Sequence, residues 1–165
     1  MVWFLISRPW EAEMEEDAQP LGETARAHPG DVQRYWPDLR GIHVLLIEDN
    51  IDTRVMVGET LQYCGAIVTT YESADKAMND LTEIVPNALI CDLSMPGLDG
   101  LEFMLRLRGR RPEHGGSVPA IAITAYYEEF AAAAALEVGF DAYMTKPIKL
   151  EHLCALVQEL AVTRS

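Results

Sequence analysis

Asp92 closes an unbroken apolar run, Ala88-Leu89-Ile90-Cys91, and is followed by Leu93-Ser94-Met95-Pro96-Gly97-Leu98-Asp99-Gly100, whose Pro and Gly turn the chain. Three other strand-like runs are also followed by polar residues of particular types: Glu48-Asp49, Thr124 and Lys146. A carboxylate at a strand end is often only a solvated cap. Carboxylates brought together repel one another unless a cation intervenes, and an all-oxygen set that keeps several waters suits Mg²⁺ or Mn²⁺. Lys146 adds a fixed positive charge and Thr124 a hydroxyl donor. The combination suits phosphoryl transfer: Asp92 as the nucleophile forming an aspartyl phosphate, with the metal and Lys146 neutralising charge on the phosphoryl oxygens.

These residues converge only if the elements before them form one sheet. The run at 42–47 is strand-like, and Asn50 or Asp52 can cap a helix with Met56, Val57, Thr60, Leu61 and Cys64 on its buried side and Gly65 beyond its end. The β-branched run at 66–71 predicts a second strand, and Ser73 caps a short helix carrying Ala77, Met78 and Leu81 that stops before Pro86. The run ending at Asp92 suits a strand buried on both faces, and Asp99 caps a helix with Leu101, Met104 and Leu105 at helical spacing. A fourth strand is expected at 118–123, an alanine-rich helix at 127–138 closed by Gly139, a short fifth strand at 141–144, and a last helix carrying Leu150, Leu153, Val157 and Leu160. Regular alternation of this kind predicts a doubly wound α/β fold with a parallel sheet, whose carboxyl edge gathers all four polar strand ends. Arg106, Arg108, Arg110 and Arg111 fall at the helix end away from Asp92, where solvated cations complement the helix dipole.

Composition narrows the function further. The 165 residues suit one domain with a tail, and 49% hydrophobic content is enough for a packed core. A net charge of -13 argues against a nucleic-acid surface and against an anionic membrane surface as partner. Cys64, Cys91 and Cys154 have neither disulfide nor metal spacing, and read as buried free thiols in a reducing compartment. The apolar start, Met1 to Ile6, is too short to span a membrane and lacks the features of a signal peptide, so a cytoplasmic location is expected. Residues 1–40 carry an acidic cluster at 11–17 and repeated prolines, and predict a mostly disordered arm ahead of a domain at 41–165. The arm's apolar tip and Tyr35-Trp36 are either incidental or a docking peptide.

The ordered set Val44-Leu45-Leu46-Ile47-Glu48-Asp49-Asn50, Cys91-Asp92-Leu93-Ser94-Met95-Pro96-Gly97-Leu98-Asp99-Gly100, Ile123-Thr124-Ala125 and Tyr143-Met144-Thr145-Lys146-Pro147 resembles the receiver domain of two-component response regulators, of the chemotaxis-regulator type. The resemblance covers residues 41–162 and implies a flavodoxin-like (βα)5 fold with strand order 2-1-3-4-5. It implies that Asp92 accepts a phosphoryl group from a histidine kinase or a histidine phosphotransfer protein. Asp49 would bind Mg²⁺ directly, Glu48 largely through water, and the main-chain carbonyl of Ser94 would be a further ligand. Lys146 would hold the phosphoryl group across a cis peptide to Pro147, Thr124 would move toward it, and Tyr143 would change rotamer with Thr124. The stretch Leu39-Arg40-Gly41-Ile42 also resembles the entry into receivers appended to hybrid histidine kinases.

The departures are small. Glu48-Asp49 stands where Asp-Asp is also common. Tyr126, two positions after Thr124, is placed to shield the phosphoryl group, although a core role is the plainer reading for it and for Tyr143. The chain ends just after the last expected helix, so output is expected by protein contact, through the face of the fourth helix, fifth strand and fifth helix, or by onward phosphotransfer, not by turnover. A Mg²⁺-dependent phosphohydrolase would want a second aspartate two residues after its nucleophile, where this chain has Ser94. A flavodoxin would want a Ser, Thr or Gly-rich phosphate loop after the first strand, where Glu48-Asp49 would repel phosphate. A scaffold without phosphorylation would have no use for Asp49, Asp92, Thr124 and Lys146 together.

Overall fold

Five parallel strands form one sheet in the order β2-β1-β3-β4-β5: β1 (His43–Ile47), β2 (Ile67–Tyr71), β3 (Ala88–Asp92), β4 (Ala120–Thr124) and β5 (Ala142–Thr145). The computed structural model describes residues 36–81, 85–125 and 129–163; the arm at 1–35 and Tyr126 lie outside them. β3 and β4 are central and buried along their whole length, as their unbroken apolar sequences require. β2 is an edge strand and only half-buried, and its Ile67 is exposed.

Among the described residues four helices return the chain between strands, α1 (Ile51–Tyr63), α2 (Ala74–Asp80), α3 (Gly100–Arg108) and α4 (Glu129–Glu137), and α5 (Leu150–Thr163) follows β5. The side chains of Asn50, Ser73 and Asp99 accept from the amides of Thr53, Lys76 and Glu102, so three helices start where polar caps meet apolar periodicity. A short 3-10 turn at Pro112–His114 leads into β4. Strand alternation divides the core. Leu45, Ile47, Leu89, Cys91, Ala120 and Ala122 pack with α2, α3 and Ala135 of α4. Val44, Leu46, Ile90, Ile121, Ile123 and Met144 pack with α1 and α5.

Some expectations change. Residues 36–40 belong to the folded unit and not to the arm: Leu39 is fully buried, its amide bonds the carbonyl of Cys64, and Trp36 meets Tyr63 edge-on with ring centroids 6.1 Å apart. On α1 the buried side is Val57, Gly58 and Leu61, while Met56 is exposed. On α3 the core is filled by Phe103, Met104 and Leu107, while Leu105 is exposed. Arg108 and Arg110 are not solvated helix-end cations. Arg108 donates to the carbonyls of Gly116 and Gly139, and Arg110 to that of Met78. All three cysteines are free and buried, with the sulfurs of Cys64 and Cys154 3.7 Å apart.

Candidate functional site

Asp92 is the last residue of β3 and is 3% exposed, in line with Ile123 of β4. Its Oδ1 accepts from the amide of Ser94 at 2.9 Å, and its Oδ2 accepts from Lys146 Nζ at 2.8 Å. One oxygen is therefore fixed by the turn that follows and the other by a cation from β5's end. The start of α3 lies hard against this point: a Cβ on Gly100 would sit 2.5 Å from the carbonyl oxygen of Asp92.

Glu48, one residue beyond β1, is 1% exposed and keeps strand pairing through its amide to Tyr71. Its carboxylate faces Lys146 Nζ at 2.9 and 3.2 Å, and it also accepts from the amide of Asn50. Asp49 is exposed at the mouth of the site. Oxygens of Glu48, Asp49 and Asp92 lie within 4.8 Å of one another. Burial pushes the Glu48 carboxyl above its usual range; Lys146 partly offsets this, and the charge of Asp92 adds to it. Burial also opposes charge on Lys146, yet its hydrogen bonds to Asp92 and Glu48 prevail and hold the ammonium above the ordinary lysine value.

The donor set fits a hard divalent cation. It is all oxygen and gathers three carboxylates at a partly buried pocket, where burial first and the neighbouring Asp92 charge second raise the Glu48 carboxyl. Glu48, Asp49 and Asp92 would hold the ion.

Thr124 ends β4, is 1% exposed and aligns with Thr145. Tyr143 aligns with Ala122, so it is the diagonal neighbour of Thr124 on the same face of the sheet, beside a small residue. The ring is half-buried against the α2–α4 side of the core. The Lys146–Pro147 peptide is cis. Glu48, Asp49, Asp92, Ser94, Thr124 and Lys146 are thus gathered at one edge, with Tyr143 one strand step away. Two neighbours of the site have no role assigned from sequence: Gly100 appears there only as the last residue of the Cys91–Gly100 segment, and Arg54, which bonds main-chain carbonyls of Glu48 and Asp49, looks in sequence like any exposed helical arginine.

The family model described as the response regulator receiver domain matches residues 44–158. An uncharacterised 14.6 kDa protein of Leptolyngbya boryana is 40% identical over 121 residues, spanning 73% of this chain and 91% of that protein. The DNA-binding transcriptional regulator NtrC of Klebsiella pneumoniae is 32% identical over 118 residues, covering 72% of this chain but 24% of NtrC. Among solved structures, the receiver domain of the sensor histidine kinase PA1611 of Pseudomonas aeruginosa, which has a magnesium ion coordinated in its active-site cleft, superposes with TM-score 0.68 at 28% identity over 74% of this chain and 98% of that one. Chemotaxis protein CheY4 of Vibrio cholerae superposes with TM-score 0.67 at 26% identity, over 72% of this chain and 98% of that one. With the family model running from β1 into α5 and the strand-end residues in their expected order, this chain belongs to the response regulator receiver domain family of two-component signalling.

Proposed function

We propose that this chain is a phosphoacceptor: Asp92 takes a phosphoryl group from a phosphohistidine on a histidine kinase or a histidine phosphotransfer protein and passes the signal on by protein contact. The observation that carries this reading is the buried Asp92 carboxylate, held by Lys146 at 2.8 Å and by the Ser94 amide at 2.9 Å, beside two further carboxylates. A carboxylate oxygen of Asp92 forms the O–P bond as the P–N bond to the donor imidazole breaks, and the donor nitrogen keeps the electron pair. Asp49, Asp92 and the Ser94 carbonyl, with Glu48 largely through water, would hold Mg²⁺ or Mn²⁺, which would supply neutralising charge for the phosphoryl oxygens. Lys146 stays beside the oxygens as a point charge, and Thr124 donates its hydroxyl to one of them. Exposed Ile51, Val55 and Met56 on the first turns of α1, next to Asp49, offer an apolar approach for the donor.

Ser94 in place of an acid/base aspartate favours a phosphoacceptor with at most self-catalysed dephosphorylation over a turnover phosphohydrolase. Three buried free thiols fit a reducing, cytoplasmic setting, and no helix among the described residues is long and apolar enough to cross a membrane. The test is incubation with acetyl phosphate and Mg²⁺ followed by peptide mapping in a mass spectrometer. Label is expected on Asp92 alone. Equal labelling of Asp92→Asn would overturn the assignment.

A further inference from the structure

Neighbouring residues of a strand point to opposite faces of a sheet, so Glu48 and Asp49 could not both aim at Asp92 if the chain stayed extended. Yet their carboxylate oxygens and those of Asp92 lie within 4.8 Å of one another. The chain must leave the strand's alternation between β1 and α1. One side chain spans that departure. Arg54, in the first turn of α1, donates from Nη1 to the main-chain carbonyl of Glu48 at 2.6 Å and to that of Asp49 at 3.2 Å. Two consecutive carbonyls turned to one guanidinium nitrogen leave the two carboxylates free to turn the other way. The amide of Arg54 also closes onto the carbonyl of Asn50 at 2.9 Å, and the Asn50 side chain accepts from Thr53 at 2.9 Å, so the arginine is anchored to the same turn that it braces.

We infer that Arg54 is a positioning residue of the acidic site, fixing the turn at residues 48–50 so that Glu48 and Asp49 stay convergent with Asp92. This rests on the proposed cation-binding role of those carboxylates. It makes a prediction opposite in sign to simple electrostatics. By Coulomb's law alone, removing a positive charge beside an acidic cluster should strengthen cation binding. Loss of positioning should weaken it, and groups that orient metal ligands typically affect affinity by ~10–100-fold.

The experiment uses the full-length protein without phosphodonor. Mn²⁺ affinity is measured from the free-ion electron paramagnetic resonance signal for the wild type, Arg54→Ala, Arg54→Lys, Asp49→Asn, and Val57→Ala as a helix variant that only perturbs packing. Melting temperatures are taken without metal. Arg54→Ala is expected to weaken Mn²⁺ binding about tenfold, Arg54→Lys to recover part of the loss, and Val57→Ala to bind as the wild type does. If Arg54→Ala does not fold, the Lys variant carries the comparison. Wild-type affinity or better in both Arg54 variants, or a loss no greater than in Val57→Ala at matched melting temperature, overturns the inference and leaves the metal site standing. A wild type that does not bind Mn²⁺, or an Asp49→Asn variant that binds as well as the wild type, instead overturns the reading of the carboxylates as the cation site, and this inference with it.

Discussion

Lys146 sits between two buried carboxylates and serves both, which is why Asp92 and Glu48 can lie 3% and 1% exposed with their charges close together. Gly100 shapes the same pocket from the other side. A methyl there would lie 2.5 Å from the Asp92 carbonyl oxygen and 2.8 Å from the Leu93 Cα, both backbone atoms that cannot swing aside. Gly100→Ala is therefore expected to push the start of α3 away from β3, costing about 1–3 kcal/mol by urea unfolding. Labelling of Asp92 by acetyl phosphate should slow as well, because the turn that fixes its Oδ1 is displaced. Most of the site's side chains could be read from the sequence. Glu48, Asp49, Asp92, Thr124 and Lys146 each stand at or just beyond a strand end, and a parallel sheet brings such ends together. Arg54 and Gly100 could not be read this way, because their roles depend on backbone atoms of other segments.

At the scale of elements, the strands buried on both faces were the most legible, since their apolar runs have one plausible place in a sheet. The helix faces were less so. α1 is apolar on several sides, so Met56 looks like core but points outward, and Cys64 beyond its end closes the core instead. The end of α3 was misread for a physical reason: an arginine that bonds distant carbonyls has the same local sequence as one that bonds water. Arg108 is half-buried and links α3 to the turn before β5, with Nε and Nη2 on the Gly139 carbonyl at 3.0 and 2.8 Å and Nη1 on Gly116 at 3.0 Å. Arg108→Ala should cost about 2 kcal/mol in urea unfolding, since it strips charged donors from partly buried carbonyls. Arg108→Lys should restore less than half of that, because a single ammonium cannot span both carbonyls. Labelling of Asp92 should be unchanged in both variants.

Across the whole molecule, strand alternation sets Thr124 and Tyr143 toward the α2–α4 side of the sheet. A phosphoryl group on Asp92 adds roughly one to two negative charges and new acceptor oxygens. Under the proposed function, Thr124 would move toward one of those oxygens and vacate space that Tyr143, its diagonal neighbour across β4 and β5, would turn into, changing the surface formed by α4, β5 and α5. A partner that distinguishes the two states by ~1–3 kcal/mol would read this as a switch. Amide NMR spectra with and without beryllofluoride, a phosphoryl mimic, should show shifts reaching Tyr143, α4 and α5, and Thr124→Ala should confine them to the pocket. Shifts that never leave the pocket in the wild type would exclude this output route. The sheet order and the edge that carries the site were legible from the alternation of strand and helix. The N-terminal limit of the fold was not, because Pro37 and the irregular sequence around it hide a buried side chain.

That limit matters to anyone who shortens the chain. The family match begins at Val44, and the motif pattern suggests Gly41 as a natural first residue. A cut at either place removes Leu39, which is as deeply buried as any side chain in the core, together with its amide bond to Cys64 and the bond from Gln158 to the Asp38 carbonyl. Emptying such a site costs about 2–5 kcal/mol in comparable cores, a large share of a small domain's stability. A shortened chain that unfolds or aggregates would then say nothing about phosphoryl chemistry. A shortened chain that keeps these contacts retains Trp36, Asp38 and Leu39 and runs to the end of α5.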